Sequence, residues 1–191
     1  MVSGLETGFL LDERWYRMTS GIERSKKPDL LLLARVLAEA KIAYAVIGGL
    51  ALQVHQAEPR TTLDIDLAVR DREDLPRARL ESAGFNETGQ FTHSNNWIGP
   101  AGTPIQFTDD PALVSALERA EEIEVEGVAL RILRRADLLH AKLRAAADPL
   151  RRRSKRLQDL ADAQSLLEQD PALDAELCDA DRAVLAGPLP L

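Results

Sequence analysis

The chain is poor in cysteine and aromatic residues and contains no long hydrophobic run, and each scarcity excludes a class of protein. A single cysteine, Cys178, cannot form a disulfide within the chain, so we expect a reducing compartment. Aromatic residues make up only 4% of the sequence, which argues against a stacking platform for single-stranded nucleic acid. The N-terminal residues match neither a signal peptide nor a membrane span. These absences indicate a cytoplasmic protein without a membrane partner.

Acidic residues outnumber basic ones, 31 to 24, but many of the basic residues are concentrated in one stretch. The formal net charge is −7, whereas residues 131–156 hold ten Lys or Arg against two aspartates, a local balance of +8 that leaves −15 on the remainder. A basic segment on an acidic body is suited to holding a polyphosphate or an RNA backbone. A set of solvated helix faces would give the same charge pattern.

Apolar periodicity and turn residues predict an α/β (α+β) chain in which helices and short strands alternate before a helical C-terminus. The predicted helices before that C-terminus are residues 29–40, 50–56, 71–83 and 111–120. The predicted strands are residues 43–47, 63–69, 103–108, 122–126 and 128–133, with further strands and turns within residues 85–102. Beyond Arg134 the pattern is helical, with breaks before Pro149 and Pro171.

This order of elements predicts a mixed β-sheet flanked by helices, followed by a C-terminal helical bundle. A length of 191 residues with 45% hydrophobic residues fits one α/β domain with a helical appendage, or at most two small domains. We divide the chain into an N-terminal helical extension (residues 1–27), an α/β core (residues 28–133) and a C-terminal helical region (residues 134–191).

Two aspartates alternate on the predicted strand 63–69. Alternate residues of a strand share a face, so Asp64 and Asp66 would point the same way. The residues expected to face the core are Leu63, Ile65, Leu67 and Val69. Two like charges side by side repel, and a hard divalent cation such as Mg²⁺ removes that repulsion. The pair therefore indicates a metal site, although a solvated strand face has the same pattern.

A double glycine, Gly48-Gly49, stands between the predicted strand 43–47 and the helix 50–56. Glycine lets the backbone turn tightly and approach a ligand, while a helix N-terminus offers free N–H groups to an anion. Most double glycines are only turns. The position of this one, a single strand–helix step before the aspartates, favours a ligand-binding role.

A lysine stands within an apolar face of the predicted helix 136–147. The neighbours of Lys142 at three and four residues are Leu138, Leu139, Ala145 and Ala146. A lysine there needs a phosphate or a carboxylate as partner, unless it extends to the helix edge and reaches water.

Farther along the chain, Asp159 follows Lys155 by four residues and could form a surface pair with it. Asp159 and Asp162 are predicted to lie away from an apolar stripe of Leu157, Leu160 and Ala161.

Taken in order, these stretches resemble the DNA polymerase β-like nucleotidyltransferase superfamily, with AbiEii-type proteins, the toxin half of some toxin–antitoxin pairs, as the nearest match. The matching stretches are residues 47–51, 60–67, 137–143 and 156–162. The resemblance implies a nucleotidyltransferase-like fold, with an active site completed by residues 134–191. It also implies Mg²⁺-dependent transfer of a nucleotide from NTP to an acceptor, either RNA (the 3′ end of tRNA) or a protein side chain, and an antitoxin partner for a toxin.

The resemblance implies a role for each matched residue. Asp64 and Asp66 would hold Mg²⁺, Lys142 would contact phosphate, and Asp159 would position substrate or help to activate the attacking hydroxyl. The residues expected to bind the nucleotide are Gly48, Gly49, Arg60 and Thr62.

One residue, Gln106, departs from the family pattern, because the superfamily usually supplies a third carboxylate from this following strand. An amide is a poor ligand for Mg²⁺ and cannot act as a general base. Either Asp109 or Asp159 takes the role, or activity is weak or lost. The alternatives are therefore a nucleotide-binding or partner-binding module of the same fold, and an interaction protein with a basic helical face.

Overall fold

The structure is a computed structural model that describes residues 3–22, 24–56 and 60–187. The strands in this part of the chain are β1 (Tyr44–Val46), β2 (Ile65–Val69), β3 (Asn86–Phe91), β4 (Ser94–Ile98), β5 (Pro104–Thr108), β6 (Glu121–Val125) and β7 (Val128–Ile132). The α-helices are α1 (Ser3–Ser20), α2 (Lys27–Glu39), α3 (Gly48–His55), α4 (Arg77–Ser82), α5 (Val114–Glu118), α6 (Arg135–Ala147), α7 (Arg153–Gln169) and α8 (Asp179–Ala186). Short 3₁₀ segments cover Arg72–Asp74, Pro111–Leu113 and Pro171–Glu176.

The seven strands form one mixed sheet in the order β3-β4-β5-β2-β1-β7-β6. The central strand β2 is antiparallel to β1 and parallel to β5, and β1 is parallel to β7. Ile65 and Leu67 of β2 lie opposite Ile105 and Phe107 of β5, and all four side chains are buried. The predicted mixed sheet with flanking helices and a helical C-terminus is thereby confirmed.

Turn chemistry explains several boundaries that the sequence predicted correctly. The β6–β7 hairpin turns at Glu126 and Gly127, which both have positive φ (50° and 73°), as a two-residue turn of the tight hairpin type requires. The side chain of Asp110 accepts a hydrogen bond from the backbone N–H of Ala112 and so caps the segment that begins at Pro111. The C-terminal helices break before Pro149 and Pro171, as predicted.

The predicted helix over residues 71–83 is wrong, because Pro76 divides it. A proline disfavours helical dihedrals at the residue before it, and Leu75 is extended at φ −58° and ψ 132°. Asp71 does cap a turn by accepting from the Glu73 N–H, but that turn is a short 3₁₀ segment. The α-helix that follows, α4, begins only after the proline.

The strand predicted over residues 63–69 starts at Ile65, and the expectation that Leu63 faces the core is wrong, since Leu63 is 41% exposed. The hydroxyl of Thr62 donates to the carboxylate of Asp64, two residues on. Such local side-chain bonds compete with strand pairing and favour an irregular backbone. Asp64 therefore lies just before β2, while Asp66 lies within it.

The N-terminal helix α1 packs against α3. Leu5 and Phe9 on α1 are buried in the main core. Gly4 and Gly8 lie so close to Gln53 on α3 that a Cβ at either position would come within 2.3 Å of it. No described helix combines the length and apolar character needed to cross a membrane.

Replacing Phe9 by alanine should destabilise the protein by about 3 kcal/mol, because it would leave a cavity between α1 and the core. Urea unfolding followed by circular dichroism measures the change. The neighbouring residue Leu10 is 59% exposed, and Leu10→Ala should change the free energy of unfolding by no more than about 0.5 kcal/mol. Equal effects of the two variants would contradict the packing of α1 on the core through Phe9.

Candidate active site

A cleft of about 550 Å³ lies beside the central strands, between the start of α3, strands β2 and β5, and helices α6 and α7. The residues that the sequence singled out for a site all line this cleft: Gly48, Gly49, Arg60, Thr62, Asp64, Asp66, Lys142 and Asp159. They come from four separate stretches of the chain. The fold therefore brings the predicted site residues together in one place.

The double glycine brings the start of α3 close to the aspartates. Gly48 has φ +62°, and a Cβ there would lie 2.3 Å from Asp66 Oδ2. A Cβ at Gly49 would lie 2.6 Å from the side chain of Thr62. The helix begins at Gly48, two residues earlier than predicted, so both glycines belong to its first turn. The backbone N–H groups of a first turn have no partner within the helix and can bind an anion.

The two aspartates differ in their surroundings. Asp64 is exposed and accepts a hydrogen bond from Thr62 Oγ1 at 2.7 Å. Asp66 is only partly exposed, and loss of solvation, followed by the nearby charge of Asp64, raises its pKa to about 7. The positive charges of Lys142, Arg151 and Lys155 act in the opposite direction. Below neutral pH, the Asp66 carboxyl is therefore mainly protonated in the metal-free protein.

The Asp64/Asp66 pair fits a single divalent cation. A cation between the two carboxylates would remove the repulsion that contributes to the raised pKa of Asp66. Mg²⁺ in proteins is typically held by one or two carboxylates together with substrate phosphates, so two carboxylates suffice. Within residues 3–22, 24–56 and 60–187, no group of three or more His, Cys, Asp or Glu side chains is arranged to hold a metal. A Mg²⁺ ion here would share its coordination with substrate or water.

The residue next to Asp66 on the adjacent strand is an amide. Gln106 on β5 pairs in register with Asp66 on one side and with Asn96 of β4 on the other, and it lines the cleft. Of the two aspartates considered as substitutes for a third carboxylate, Asp109 forms an ion pair with Arg72 at 2.7 Å and is not among the residues lining the cleft. Asp159 does line it.

The buried ammonium group of Lys142 is paired with two carboxylates. Lys142 Nζ lies 2.9 Å from Asp159 Oδ1 and 2.8 Å from Asp162 Oδ2. Arg151 Nε donates to the other oxygen of Asp159 at 2.7 Å. Arg60 donates to both oxygens of Asp162 at 2.9 and 3.0 Å. We call these five residues the lysine network; it combines three cations with two carboxylates and so retains a net positive charge beside the cleft.

The buried face and the ion pairs of α7 differ from those that the sequence predicted. The predicted apolar stripe is wrong, because Leu157 is half exposed while Asp159 and Asp162 are buried. The predicted surface pair is wrong as well, since Asp159 pairs with Lys142 and Arg151 instead of with Lys155. The reason is that cations from α6 and from residues 60 and 151 pair with the acidic face of α7. Asp162 and Arg151 were not predicted as site residues, although the spacing of Asp159 and Asp162 by three places them on one helix face.

The sequence matches no family model and no curated protein. Solved structures similar to this chain include an antigenic nucleotidyltransferase-like protein from Paracoccidioides brasiliensis, with 22% identity over 84% of this chain and 85% of that chain and a TM-score of 0.57. ANT(2'')-Ia in complex with adenylyl-2''-tobramycin is 16% identical over 83% of this chain and 95% of its own, with a TM-score of 0.53. The Megavirus polyadenylate synthase is 15% identical over 87% of this chain and 36% of its own, with a TM-score of 0.57. The chain has a nucleotidyltransferase-like fold.

Replacing Asp66 by asparagine should stabilise the metal-free protein, and the gain should grow with pH. The carboxyl binds a proton more tightly in the folded protein, with a pKa of about 7, than in the unfolded chain, where 3.8 applies. Ionisation therefore costs stability as the pH rises from about 4 to about 7, and above that the cost is constant. Urea unfolding measured in EDTA between about pH 4.5 and pH 8 should show a gain in the free energy of unfolding of at least about 1 kcal/mol at the upper end.

The control for this experiment is Asp74→Asn, which removes one negative charge from an exposed aspartate outside the cleft. A gain of the same size for both variants, or a gain for Asp66→Asn that does not change with pH, would contradict the crowded environment described for Asp66.

Proposed function

We propose that this chain is a magnesium-dependent nucleotidyltransferase that moves a nucleotide from an NTP to an RNA acceptor. The observation that carries the proposal is the convergence of Asp64, Asp66, the Gly48-Gly49 turn and Lys142 on one cleft of a nucleotidyltransferase-like fold. Similar structures include one holding adenylyl-2''-tobramycin and one of a polyadenylate synthase, which supports nucleotidyl transfer for this fold.

The site residues have three proposed roles: binding the metal, binding the triphosphate and forming the wall of the cleft. Asp64 and Asp66 would hold Mg²⁺, which would supply charge neutralisation at the phosphoryl group under attack. Gly48 and Gly49 allow the triphosphate to reach the first turn of α3, where free N–H groups and the helix dipole favour negative charge. Residues 138–159, from α6 to α7, add one wall of the cleft.

The lysine network sets the charge of that wall. Lys142 attracts phosphate as the central cation of the network, and Asp159 keeps it in place by accepting its hydrogen bond. Asp159 Oδ2 accepts from Arg151 at the same time, so both of its oxygens are occupied by cations. This arrangement suits a residue that positions substrate-binding groups better than one that removes a proton.

A phosphate-rich acceptor is favoured by the basic residues at the α6–α7 side of the cleft. Arg151, Arg152 and Lys155 line it, within the stretch of local charge +8. Arginine and lysine clusters of this kind bind RNA phosphates without reading the bases. Within the proposal, the finer assignment is a toxin of AbiEii type acting on tRNA, with an antitoxin protein as partner. A protein side chain as acceptor is the competing outcome.

The proposal is tested by incubating the protein with Mg²⁺, total RNA, total protein and each α-labelled NTP in turn. The unmutated chain should label RNA of tRNA size, and Asp64→Ala/Asp66→Ala should reduce labelling by at least about 100-fold, a loss typical for removal of transition-state stabilisation. Asp74→Ala serves as a matched control, since Asp74 does not line the cleft. Label in protein would change the acceptor class, and full activity of the double variant would refute the assignment of the aspartates.

A second candidate function, a module that binds an NTP without transferring it, is favoured by Gln106 beside Asp66. Such a module would show a Mg²⁺-dependent rise in melting temperature with NTP and no labelled product. Gln106→Asp should then raise the transfer rate above background, because it supplies the carboxylate that the amide replaces. Asn96→Asp, its register neighbour on β4, should not. A chain whose melting temperature responds to neither NTP nor Mg²⁺ would instead be an interaction protein with a basic helical face.

A further inference from the structure

The segment that leads into Asp64 is irregular, yet it is held at two backbone carbonyls. Gln53 Nε2 on α3 donates to the carbonyl oxygen of Arg60 at 2.8 Å. Lys26 Nζ donates to the carbonyl oxygen of Thr62 at 2.5 Å. Two side chains from other elements thus take the place of strand pairing over this segment.

The lysine that holds Thr62 comes from the N-terminal part of the chain and is buried. Lys26 is only 3% exposed, and its partner is Asp12 on α1, which is 1% exposed. Asp12 follows Leu5 and Phe9 at helical spacing, so its carboxylate lies on the same face of α1 as these core residues. The docking of α1 on the core therefore determines where the carboxylate that holds Lys26 lies.

The contact continues from Lys26 to the metal-binding aspartate through a single residue. Thr62 accepts from Lys26 through its carbonyl oxygen, and its hydroxyl donates to Asp64 Oδ1 at 2.7 Å. The Thr62 side chain is also in close contact with Gly49, where a Cβ would lie 2.6 Å away. A hydroxyl that occupies Oδ1 limits the rotation of the Asp64 carboxylate and leaves Oδ2 for a metal.

The energetics of the pair favour a positioning role. Burial raises the pKa of Asp12 and lowers the pKa of Lys26, although each partner opposes the shift of the other. Both directions show that desolvation is the largest effect on this pair. A buried ion pair typically contributes little net stability compared with apolar residues of similar size. What the Asp12–Lys26 pair contributes is then mainly the position of the Thr62 carbonyl, to which Lys26 donates a hydrogen bond.

We propose that Asp12 and Lys26 are positioning residues that set the Asp64 carboxylate for metal binding by holding Thr62. The inference rests on the proposed function, because it takes Asp64 as a ligand of Mg²⁺. Outer partners of metal ligands typically change metal affinity by about 10- to 100-fold when they are removed.

The test replaces the whole pair, so that no unpaired charge is left buried. Asp12→Leu/Lys26→Met should still fold, as melting in EDTA would show, because the avoided desolvation of two charges offsets the loss of the donor to the Thr62 carbonyl. Its affinity for Mg²⁺, measured by calorimetry in the presence of a non-hydrolysable ATP analogue, should fall by about 10-fold or more. Thr62→Val should cause a loss of the same size, and Thr62→Ser, which keeps the hydroxyl, should restore the affinity.

The control is the neighbouring lysine. Lys27 also reaches α1, where it pairs with Glu6, but it makes no hydrogen bond to residues 60–64. Lys27→Met should leave Mg²⁺ affinity unchanged. Combining Asp12→Leu/Lys26→Met with Thr62→Val should cost less than the sum of the separate losses, since both act through one contact.

The outcomes separate this inference from the proposed function. If the unmutated chain binds no Mg²⁺ with the ATP analogue, or Asp64→Ala binds it equally well, the proposed function fails and the inference with it. If Asp64→Ala abolishes binding while a folded Asp12→Leu/Lys26→Met retains full affinity, only the inference fails. If the pair variant does not fold, unchanged affinity in Thr62→Val overturns the inference by itself.

Discussion

The ammonium group of Lys142 is the charge on which the arrangement of the cleft depends. It lies between α6 and α7, where it binds Asp159 and Asp162, and these two carboxylates hold Arg151 and Arg60 in turn. An unpaired lysine in this position would carry a large desolvation cost. The same contacts that avoid the cost attach the C-terminal helices to the segment before β2. The lysine network thereby connects the wall of the cleft to the segment that leads into Asp64.

At the floor of the cleft the charges of two aspartates repel each other, and the nearby basic side chains offset this repulsion only in part. Asp64 and Asp66 are close enough for the charge of one to raise the pKa of the other, and the sheet neighbour Gln106 adds no positive charge. Because Gly48 has no Cβ, the backbone at the start of α3 approaches the Asp66 side chain directly. A folded chain maintains such a conflict at the expense of stability, and strain of this kind is typical of binding and catalytic sites. Under the proposed function, a cation bound with a triphosphate would add positive charge beside the aspartates, and the triphosphate would be a ligand for the N–H groups of the first turn of α3.

The elements whose patterns depend on local chemistry were predictable from the sequence. The alternating residues of β2, the glycines at the start of α3, and the positive-φ turn at Gly127 each leave a signature within a few residues. The division of the 71–83 helix could also have been predicted, since Pro76 is present in the sequence. The charged buried face of α7 could not. Asp159 is stable in the interior only because Lys142 and Arg151 lie opposite it, and a partner 17 residues away leaves no periodic signal.

The contacts of the N-terminal residues with the site were likewise not predictable, because the sequence pattern assigns residues 1–27 to an extension outside the core. Asp12 and Lys26 have no local sequence feature that links them to Asp64. The hydrogen-bonded connection runs through the carbonyl and hydroxyl of Thr62, and the charges of Lys26 and Asp64 also attract each other. Residues 60–64 are thus held by a buried lysine from the N-terminal part of the chain, by Gln53 of α3 and by an aspartate from α7. Because irregular backbone has few hydrogen bonds of its own, its conformation follows from these outside partners. The position of the Asp64 carboxylate therefore depends on contacts with α1 and α7, which are distant in sequence, whereas the charge repulsion with Asp66 arises from residues two apart.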